Sequence, residues 1–259
     1  MFLSHLTSTT HHEFSVPKDE NTMPLVGNGD WAMLSNYLNS IGYVDRWLAK
    51  IMDILEEGVA DKTLVILVGD HGLSIAEYLS FTPYHNPLIT NFHIPLVISH
   101  PALPVINIAD PVTSIQIPPT VLDLLIETDT FSKCKATAAR DMLRNYEGQS
   151  LLRPQMNTFG YGEYLGWQFT IMNPGGSSLA VRNANEPEMR LIVPLQSGSE
   201  WHFTDLQDDP HEKQPLVSFD YQDLMSRLED QMQRAWAERA VQVTELWIGE
   251  NRNRYRFKP

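Results

Sequence analysis

Residues 62–78, KTLVILVGDHGLSIAEY, change abruptly from apolar to polar chemistry. The first half of this segment is apolar and mostly β-branched, which is typical of a buried strand over 63–69. The run ends in Asp70, His71 and Gly72, and an acid beside an imidazole does not suit a hydrophobic core. We therefore predict that this strand ends at a site that uses a carboxylate and a ring nitrogen.

The flanking sequence predicts two helices and a second strand. Apolar residues recur at spacings of three and four across 31–57, which predicts a helix with Asp30 as N-cap and Gly58 just after its end. The apolar run at 94–100 predicts a strand, and the run at 118–127 predicts a helix that opens with proline. This order favours an α/β fold with a mainly parallel sheet covered by helices. In such a sheet, ligands bind beyond the carboxyl ends of the strands.

The second part of the chain has a different organisation. A helix is predicted near 137–147, and two strand-like runs around QSGS predict a hairpin within 189–206. Residues 219–247 predict one long helix. We therefore divide the chain into a main α/β part, residues 1–158, and a smaller α+β part, residues 159–259.

Composition excludes some classes of partner and leaves the compartment open. The chain has 259 residues and a formal net charge of −13, which disfavours a nucleic-acid partner. Cys134 is the single cysteine, so no internal disulfide can form. No apolar run approaches the roughly 18 residues that span a bilayer, and we expect no signal peptide at the polar N-terminus.

The candidate site residues each have an alternative interpretation. Asp70 and His71 are suitable ligands for a divalent metal, but Asp70 could instead be a helix N-cap beside an incidental histidine. His11 or His12 could bind an anion or a metal, or could be an exposed loop residue. His85 follows in the loop that begins at the same strand end. The sequence contains no nucleophile elbow and no glycine-rich phosphate loop, so we assign no catalytic nucleophile.

Five segments in order resemble the C-terminal portion of the catalytic domain of sulfatases. These belong to the alkaline-phosphatase-like superfamily, which also contains lipoteichoic-acid synthases and phosphoethanolamine transferases. The segments are FLSHLTSTTHHEF (2–14), NYLNSIGYVDRWLAKIMDILEEGVADKTLVILVGDHG (36–72), HIPLVISHPALP (93–104), PVTSIQIPPTVLDLL (111–125) and EWHFTDLQDDPHEKQPL (200–216).

The resemblance implies a partial alkaline-phosphatase-like sandwich and roles for specific residues. Asp70 and His71 would be ligands of the catalytic divalent metal, which could be calcium, zinc, manganese or magnesium. His11, or His12 in its place, and His85 would contact the sulfate or phosphate group of a small anionic ester. The resemblance also implies a parent protein that is secreted, extracytoplasmic or attached to a membrane.

The chain departs from the family pattern in its nucleophile. In the family, the nucleophile and an acidic metal ligand precede the matching segments, and the Cys-x-Pro-Ser-Arg motif is absent here. Ser114 and Gln116 stand where many relatives have His and Asp. We therefore expect a sulfatase-like, metal-dependent hydrolase of sulfuric or phosphoric esters that is inactive as this chain alone. The alternatives are a non-catalytic scaffold or interaction protein, and a phosphoethanolamine or glycerophosphate transferase fragment.

Overall fold

A computed structural model describes most of the chain and separates it into two compact units. The units are residues 1–107 and residues 108–259. The boundary predicted from sequence, 158/159, lies outside the described residues and remains a prediction. The described residues are 2–26, 32–75, 87–153, 166–172 and 176–255.

The first unit contains one long helix and two short strands. The helix α1 is Ala32–Glu56, and the strands are β1, Val65–Val68, and β2, Leu96–Ser99. The 3-10 turn Ile89–Asn91 lies shortly before β2. The helix and both strands lie where the sequence predicts them. Residues 2–8, the start of the first resembling segment, form no strand here.

The apolar stripe of α1 is only partly covered. The buried residues of this helix are Ser35 and Ser40, whereas Ile51 on the stripe is exposed. The N-terminal segment packs along the helix instead, and the buried ring of Phe14 meets Tyr37 edge to face at 5.2 Å between centroids. The N-terminal segment is therefore held on α1 both by ring packing and by hydrogen bonds with Ser35 and Asn39 of the helix.

The prediction of a mainly parallel sheet is wrong for the described residues. The strands β1 and β2 pair antiparallel, with Val65 opposite Ser99 and Val68 opposite Leu96. A parallel pair needs a crossover connection that carries the chain back to the same end of the sheet. Here β2 runs in the opposite direction, and the antiparallel ladder continues past Val68, since the Gly69 N–H donates to the carbonyl oxygen of the residue just before β2, at 3.2 Å. The carboxyl ends of the two strands therefore lie at opposite ends of the ribbon.

The second unit combines a helical segment with an antiparallel sheet. The helices α2, Ile117–Glu127, and α3, Lys133–Asn145, come first. Five strands in consecutive order then form an antiparallel sheet, and two helices, α4 and α5, end the chain. These elements are β3 (Trp167–Met172), β4 (Ser178–Asn183), β5 (Glu186–Pro194), β6 (Trp201–Asp205), β7 (Leu216–Ser218), α4 (Tyr221–Arg227) and α5 (Gln231–Tyr255).

The core of the second unit lies between the sheet and the last two helices. Trp236 of α5 is completely buried and packs against the rings of Trp167 and Phe203. The completely buried Leu179 and Leu191 come from the neighbouring strands β4 and β5. Burial of such large side chains is the main favourable contribution to folding of this unit.

The C-terminal helical pattern consists of two helices, so the prediction of one helix over 219–247 is wrong. Leu228 is extended, with ψ of 99°, and ends α4. The Asp230 carboxylate then accepts the backbone N–H groups of Met232 and Gln233 and starts α5. The hairpin predicted within 189–206 is present as β5 and β6.

Residues of α2 hold the loop that follows α3. The Thr120 hydroxyl accepts the backbone N–H of Leu151 at 2.9 Å. The Asp123 carboxylate receives two hydrogen bonds from the Arg153 guanidinium, at 2.8 and 2.9 Å. Burial would raise the pKa of Asp123, but hydrogen bonds from Arg153 and Ser150 and the Arg153 charge together lower it. Thr120 and Asp123, in the resembling segment 111–125, therefore have a structural role in this chain.

Candidate metal centre

The residues after β1 bring one carboxylate and one imidazole together. Asp70 Oδ1 accepts the backbone N–H of His71 at 2.9 Å. His71 Nδ1 lies 2.8 Å from the carbonyl oxygen of Gly72. The second carboxylate oxygen, Asp70 Oδ2, lies 3.9 Å from His71 Nε2. Both side chains reach solvent, with exposed fractions of 72% for Asp70 and 48% for His71.

The contact with Gly72 determines which nitrogen of His71 can coordinate a metal. A carbonyl oxygen only accepts hydrogen bonds, so Nδ1 must carry the proton that His71 donates to Gly72. In the neutral ring, Nε2 is then the acceptor nitrogen. Metal-binding histidines commonly have this arrangement, in which the second ring nitrogen donates to a carbonyl group.

The alternative role of Asp70 as a helix N-cap is wrong. Residues 71–74 are not helical. An N-cap carboxylate accepts the backbone N–H two or three residues further on, whereas Asp70 accepts that of the adjacent residue, His71. The local geometry thus directs the carboxylate and the imidazole toward the same side of the loop end.

The backbone of this loop is held by the turn before β2. The Gly72 N–H donates to the Asn91 carbonyl oxygen at 3.0 Å. A Cβ atom at Gly72 would lie 1.9 Å from the Thr90 carbonyl oxygen, so only glycine fits there. The completely buried Ser74 hydroxyl donates to Asn91 Oδ1 at 3.0 Å and lies 2.7 Å from Thr90 Oγ1.

Asp70 and His71 fit a divalent metal as two members of a larger ligand set. Two atoms that each lie about 2.0–2.4 Å from one ion are at most about 4.8 Å apart, and Asp70 Oδ2 and His71 Nε2 satisfy this limit at 3.9 Å. Within the part of the chain that the structure describes, no group of three or more His, Cys, Asp or Glu side chains is arranged to hold a metal ion. His11 therefore does not complete the pair.

His11 lies on a separate turn of the N-terminal segment. Its backbone N–H donates to the Ser8 carbonyl oxygen, and its own carbonyl oxygen accepts the Phe14 N–H. Its Nδ1 atom lies 2.8 Å from the carbonyl oxygen of His12, so this ring also donates through Nδ1. Next to this turn, burial raises the pKa of Tyr37 and keeps the phenol protonated. The other predicted anion contact, His85, lies outside the described residues.

Other polar residues have structural roles instead. His100 Nδ1 accepts the Ala102 N–H at 3.1 Å, and its Nε2 donates to the Asp61 carbonyl oxygen at 3.2 Å. In the acidic LQDDPHE turn, the Asp209 carboxylate accepts the backbone N–H groups of Lys213 and Gln214. These side chains therefore form hydrogen bonds with nearby backbone groups.

Sequence reasoning missed the residues that support the loop. Ser74, Thr90 and Asn91 belong to no recognisable motif, and Ser74 lies 16 and 17 positions from its two partners. The available sequence signal was Gly72 itself. A glycine beside a candidate ligand favours the close approach of another backbone segment.

Comparison with known protein families identifies the first part of the chain. Residues 2–127 match the sulfatase family model, and this match contains four of the five resembling segments. The resemblance to sulfatases is thus confirmed for residues 2–127, which match this family. The mixed α/β character agrees with this family. No curated protein sequence matches the chain significantly.

The family match also supports a coarse description of function. It indicates a sulfatase-like hydrolase, with sulfate esters as the substrate class. Domains of this family generally use a divalent metal. Among the described residues, no helix is both long enough and apolar enough to span a membrane.

Proposed function

We propose that this protein contributes to a metal-dependent hydrolase of sulfuric esters, with phosphoric esters as the related alternative. Asp70 and His71 are the proposed metal ligands. The observation that carries the proposal is the orientation of these two side chains at the end of β1, within the segment that matches the sulfatase family.

Each candidate side chain has a chemical task in this proposal. Asp70 supplies a carboxylate oxygen. His71 supplies Nε2, while its Nδ1–H donates a hydrogen bond to the Gly72 carbonyl oxygen. His11 and His85 would donate hydrogen bonds to the anionic ester group. A divalent metal would polarise the ester oxygens and offset charge that develops in the transition state.

Two protein ligands are fewer than a stable site requires. Metal sites in proteins generally have about four or more ligands, so this site would need further ligands from water, from backbone carbonyl groups or from residues outside the described ranges. The sequence also contains no recognisable nucleophile motif. We therefore propose that this chain binds metal weakly and turns over ester substrates slowly or not at all.

Calorimetric titration of the full chain with Mn²⁺, Zn²⁺ and Ca²⁺ tests the proposal. We expect saturable binding of at least one ion, which Asp70→Ala removes. The matched control is Asp53→Ala, which deletes an exposed carboxylate on α1 of the same unit. Binding in the control should equal that of the unmodified chain.

Two results would contradict the assignment. One is unchanged metal binding in Asp70→Ala, which would place the ion elsewhere. The other is the absence of saturable binding in a chain that circular dichroism shows to be folded. The second result would favour the alternative of a non-catalytic scaffold.

A further inference from the structure

We propose that Ser74 and Thr90 are positioning residues for His71. Together with Asn91 they form a clamp that fixes the Gly72 carbonyl group and thereby selects the metal-binding nitrogen of His71. This inference rests on the proposed function, because it assigns the clamp a role at the same metal centre. It goes further in identifying residues that act on a ligand without touching the metal.

The backbone at Gly72 has little freedom. Its N–H is hydrogen-bonded to the Asn91 carbonyl oxygen at 3.0 Å. Its Cα approaches Thr90 so closely that an added Cβ would lie 1.9 Å from the Thr90 carbonyl oxygen. The position of the Gly72 carbonyl group is therefore tied to the position of the 3-10 turn at Ile89–Asn91.

Ser74 contacts the same two residues, Thr90 and Asn91, through side chains. Its hydroxyl has one proton, which it donates to Asn91 Oδ1 at 3.0 Å. Thr90 Oγ1 lies 2.7 Å from the same hydroxyl and so acts as its donor. Ser74 is completely buried, so loss of its hydroxyl would leave polar partners in a site with little access to water.

The clamp acts on His71 through the Gly72 carbonyl group. The Gly72 carbonyl oxygen accepts the proton on His71 Nδ1 at 2.8 Å, which makes Nε2 the coordinating nitrogen. If the carbonyl group moves, His71 loses this constraint and both ring tautomers become accessible. A buried, hydrogen-bonded support beneath two solvent-exposed ligands is the arrangement that pre-organises a metal site.

Two isosteric variants test the clamp in the full chain. Ser74→Ala deletes the buried hydroxyl, and Thr90→Val deletes its donor while keeping the backbone carbonyl group. The control is Ser40→Ala, which deletes another completely buried hydroxyl of the same unit that donates to the Tyr37 carbonyl oxygen. The control separates loss of the clamp from the general effect of removing a buried hydroxyl.

Two measurements are made on each folded protein. Long-range nitrogen–proton NMR correlations of the metal-free chain at about pH 8, where ordinary histidines are neutral, report the tautomer of His71. Calorimetric titration with Mn²⁺ reports the affinity. We expect the Nδ1–H tautomer in the unmodified chain, a mixture of tautomers in Ser74→Ala and Thr90→Val, and about 10-fold weaker Mn²⁺ binding in both. Ser40→Ala should match the unmodified chain in both measurements.

The inference is overturned if the unmodified chain has the Nε2–H tautomer, or if both clamp variants keep the original tautomer. If Ser74→Ala does not fold, Thr90→Val alone decides the question by the same tautomer readout. Absence of Mn²⁺ binding in the unmodified chain would overturn both the proposed function and the role of the clamp at a metal. Loss of binding in Asp70→Ala with normal binding in the clamp variants would overturn this inference alone.

Discussion

Arg190 and Glu212 form a salt bridge inside the second unit. The Arg190 Nη1 atom lies 2.7 and 2.8 Å from the two Glu212 carboxylate oxygens, and the exposed fractions of the side chains are 3% and 4%. Burial lowers the pKa of Arg190, and the charge and hydrogen bonds of Glu212 oppose that effect. Glu212 lies in the turn that follows β6, so this ion pair ties the turn to strand β5.

Glu212→Gln should destabilise the protein strongly, because it leaves the Arg190 charge buried without its counter-charge. We expect a loss of about 3–5 kcal/mol in the free energy of unfolding. Chemical denaturation followed by tryptophan fluorescence measures it, since Trp236 lies in the hydrophobic core of the same unit. The double variant Arg190→Met with Glu212→Gln should recover part of the loss, because no buried charge remains.

An exposed ion pair of the same unit provides the comparison. Arg239 and Glu186 lie 3.0 Å apart with side chains 51% and 37% exposed, so Glu186→Gln should cost about 0–1 kcal/mol. Equal losses for Glu186→Gln and Glu212→Gln would show that burial does not control the strength of these pairs.

Arg153→Lys should destabilise the second unit although it keeps the positive charge. The guanidinium binds the nearly buried Asp123 carboxylate through two nitrogens, and an ammonium group cannot reproduce that fork. We expect a loss of about 1–3 kcal/mol, measured by denaturant titration. The exposed Arg144→Lys is the control and should leave stability unchanged. Equal stability of the two variants would argue against a structural role for the fork.

Stability should fall as the pH decreases through the range in which histidines titrate. Burial lowers the pKa of His202, although Glu200 partly opposes the shift. The unfolded chain therefore takes up a proton near pH 6.5, its ordinary pKa, whereas folded His202 does so only at lower pH. Above about pH 6.5, His202 does not affect the free energy of unfolding. As the pH falls below about 6.5, His202 increasingly destabilises the folded state, and the effect levels off below the pKa of the folded state.

The difference between the unmodified chain and His202→Gln isolates this effect. The unmodified chain should lose more stability than the variant when denaturation midpoints at about pH 7.5 are compared with those at about pH 5.5. A control, His211→Gln, removes an exposed histidine from the turn and should retain the full pH dependence. Parallel pH curves for the unmodified chain and His202→Gln would refute the assignment.

Gly72→Ala should disrupt the loop that carries the proposed metal ligands. Its Cβ atom would collide with the Thr90 backbone, which cannot move as a flexible side chain could. We expect loss of Mn²⁺ binding and faster amide hydrogen exchange at Gly72 and its neighbours. Gly58→Ala is the matched control, because a Cβ atom there meets nothing within 4 Å. Unchanged Mn²⁺ affinity in Gly72→Ala would contradict the described loop geometry.

The sequence predicted those helices and strands whose apolar residues follow one clear pattern. The spacing of apolar residues located α1, and the apolar run before Asp70 located β1. It also identified Asp70 and His71 as a pair at a strand end. The roles of His11 and His85 as contacts to the substrate remain predictions.

Several features depended on the path of the chain, which periodicity does not encode. The antiparallel pairing of β1 with β2 depends on the direction in which the chain returns between Val68 and Leu96, which no local pattern records. The break before α5 occurs within a composition that favours a helix throughout, and only the capping by Asp230 shows where the second helix starts. Strand β4 was missed because its short apolar run had no clear alternation.

The sequence by itself determined the family of the first part of the chain and the residue types at the candidate metal centre. Both depend on the order of residues along the chain, because adjacent residues such as Asp70 and His71 are neighbours in any fold. Only the tertiary structure decided which nitrogen of His71 donates to the Gly72 carbonyl group and what supports that group. That choice depends on Ser74 and Thr90 meeting across the loop, and contacts between residues far apart in sequence form only when the chain folds.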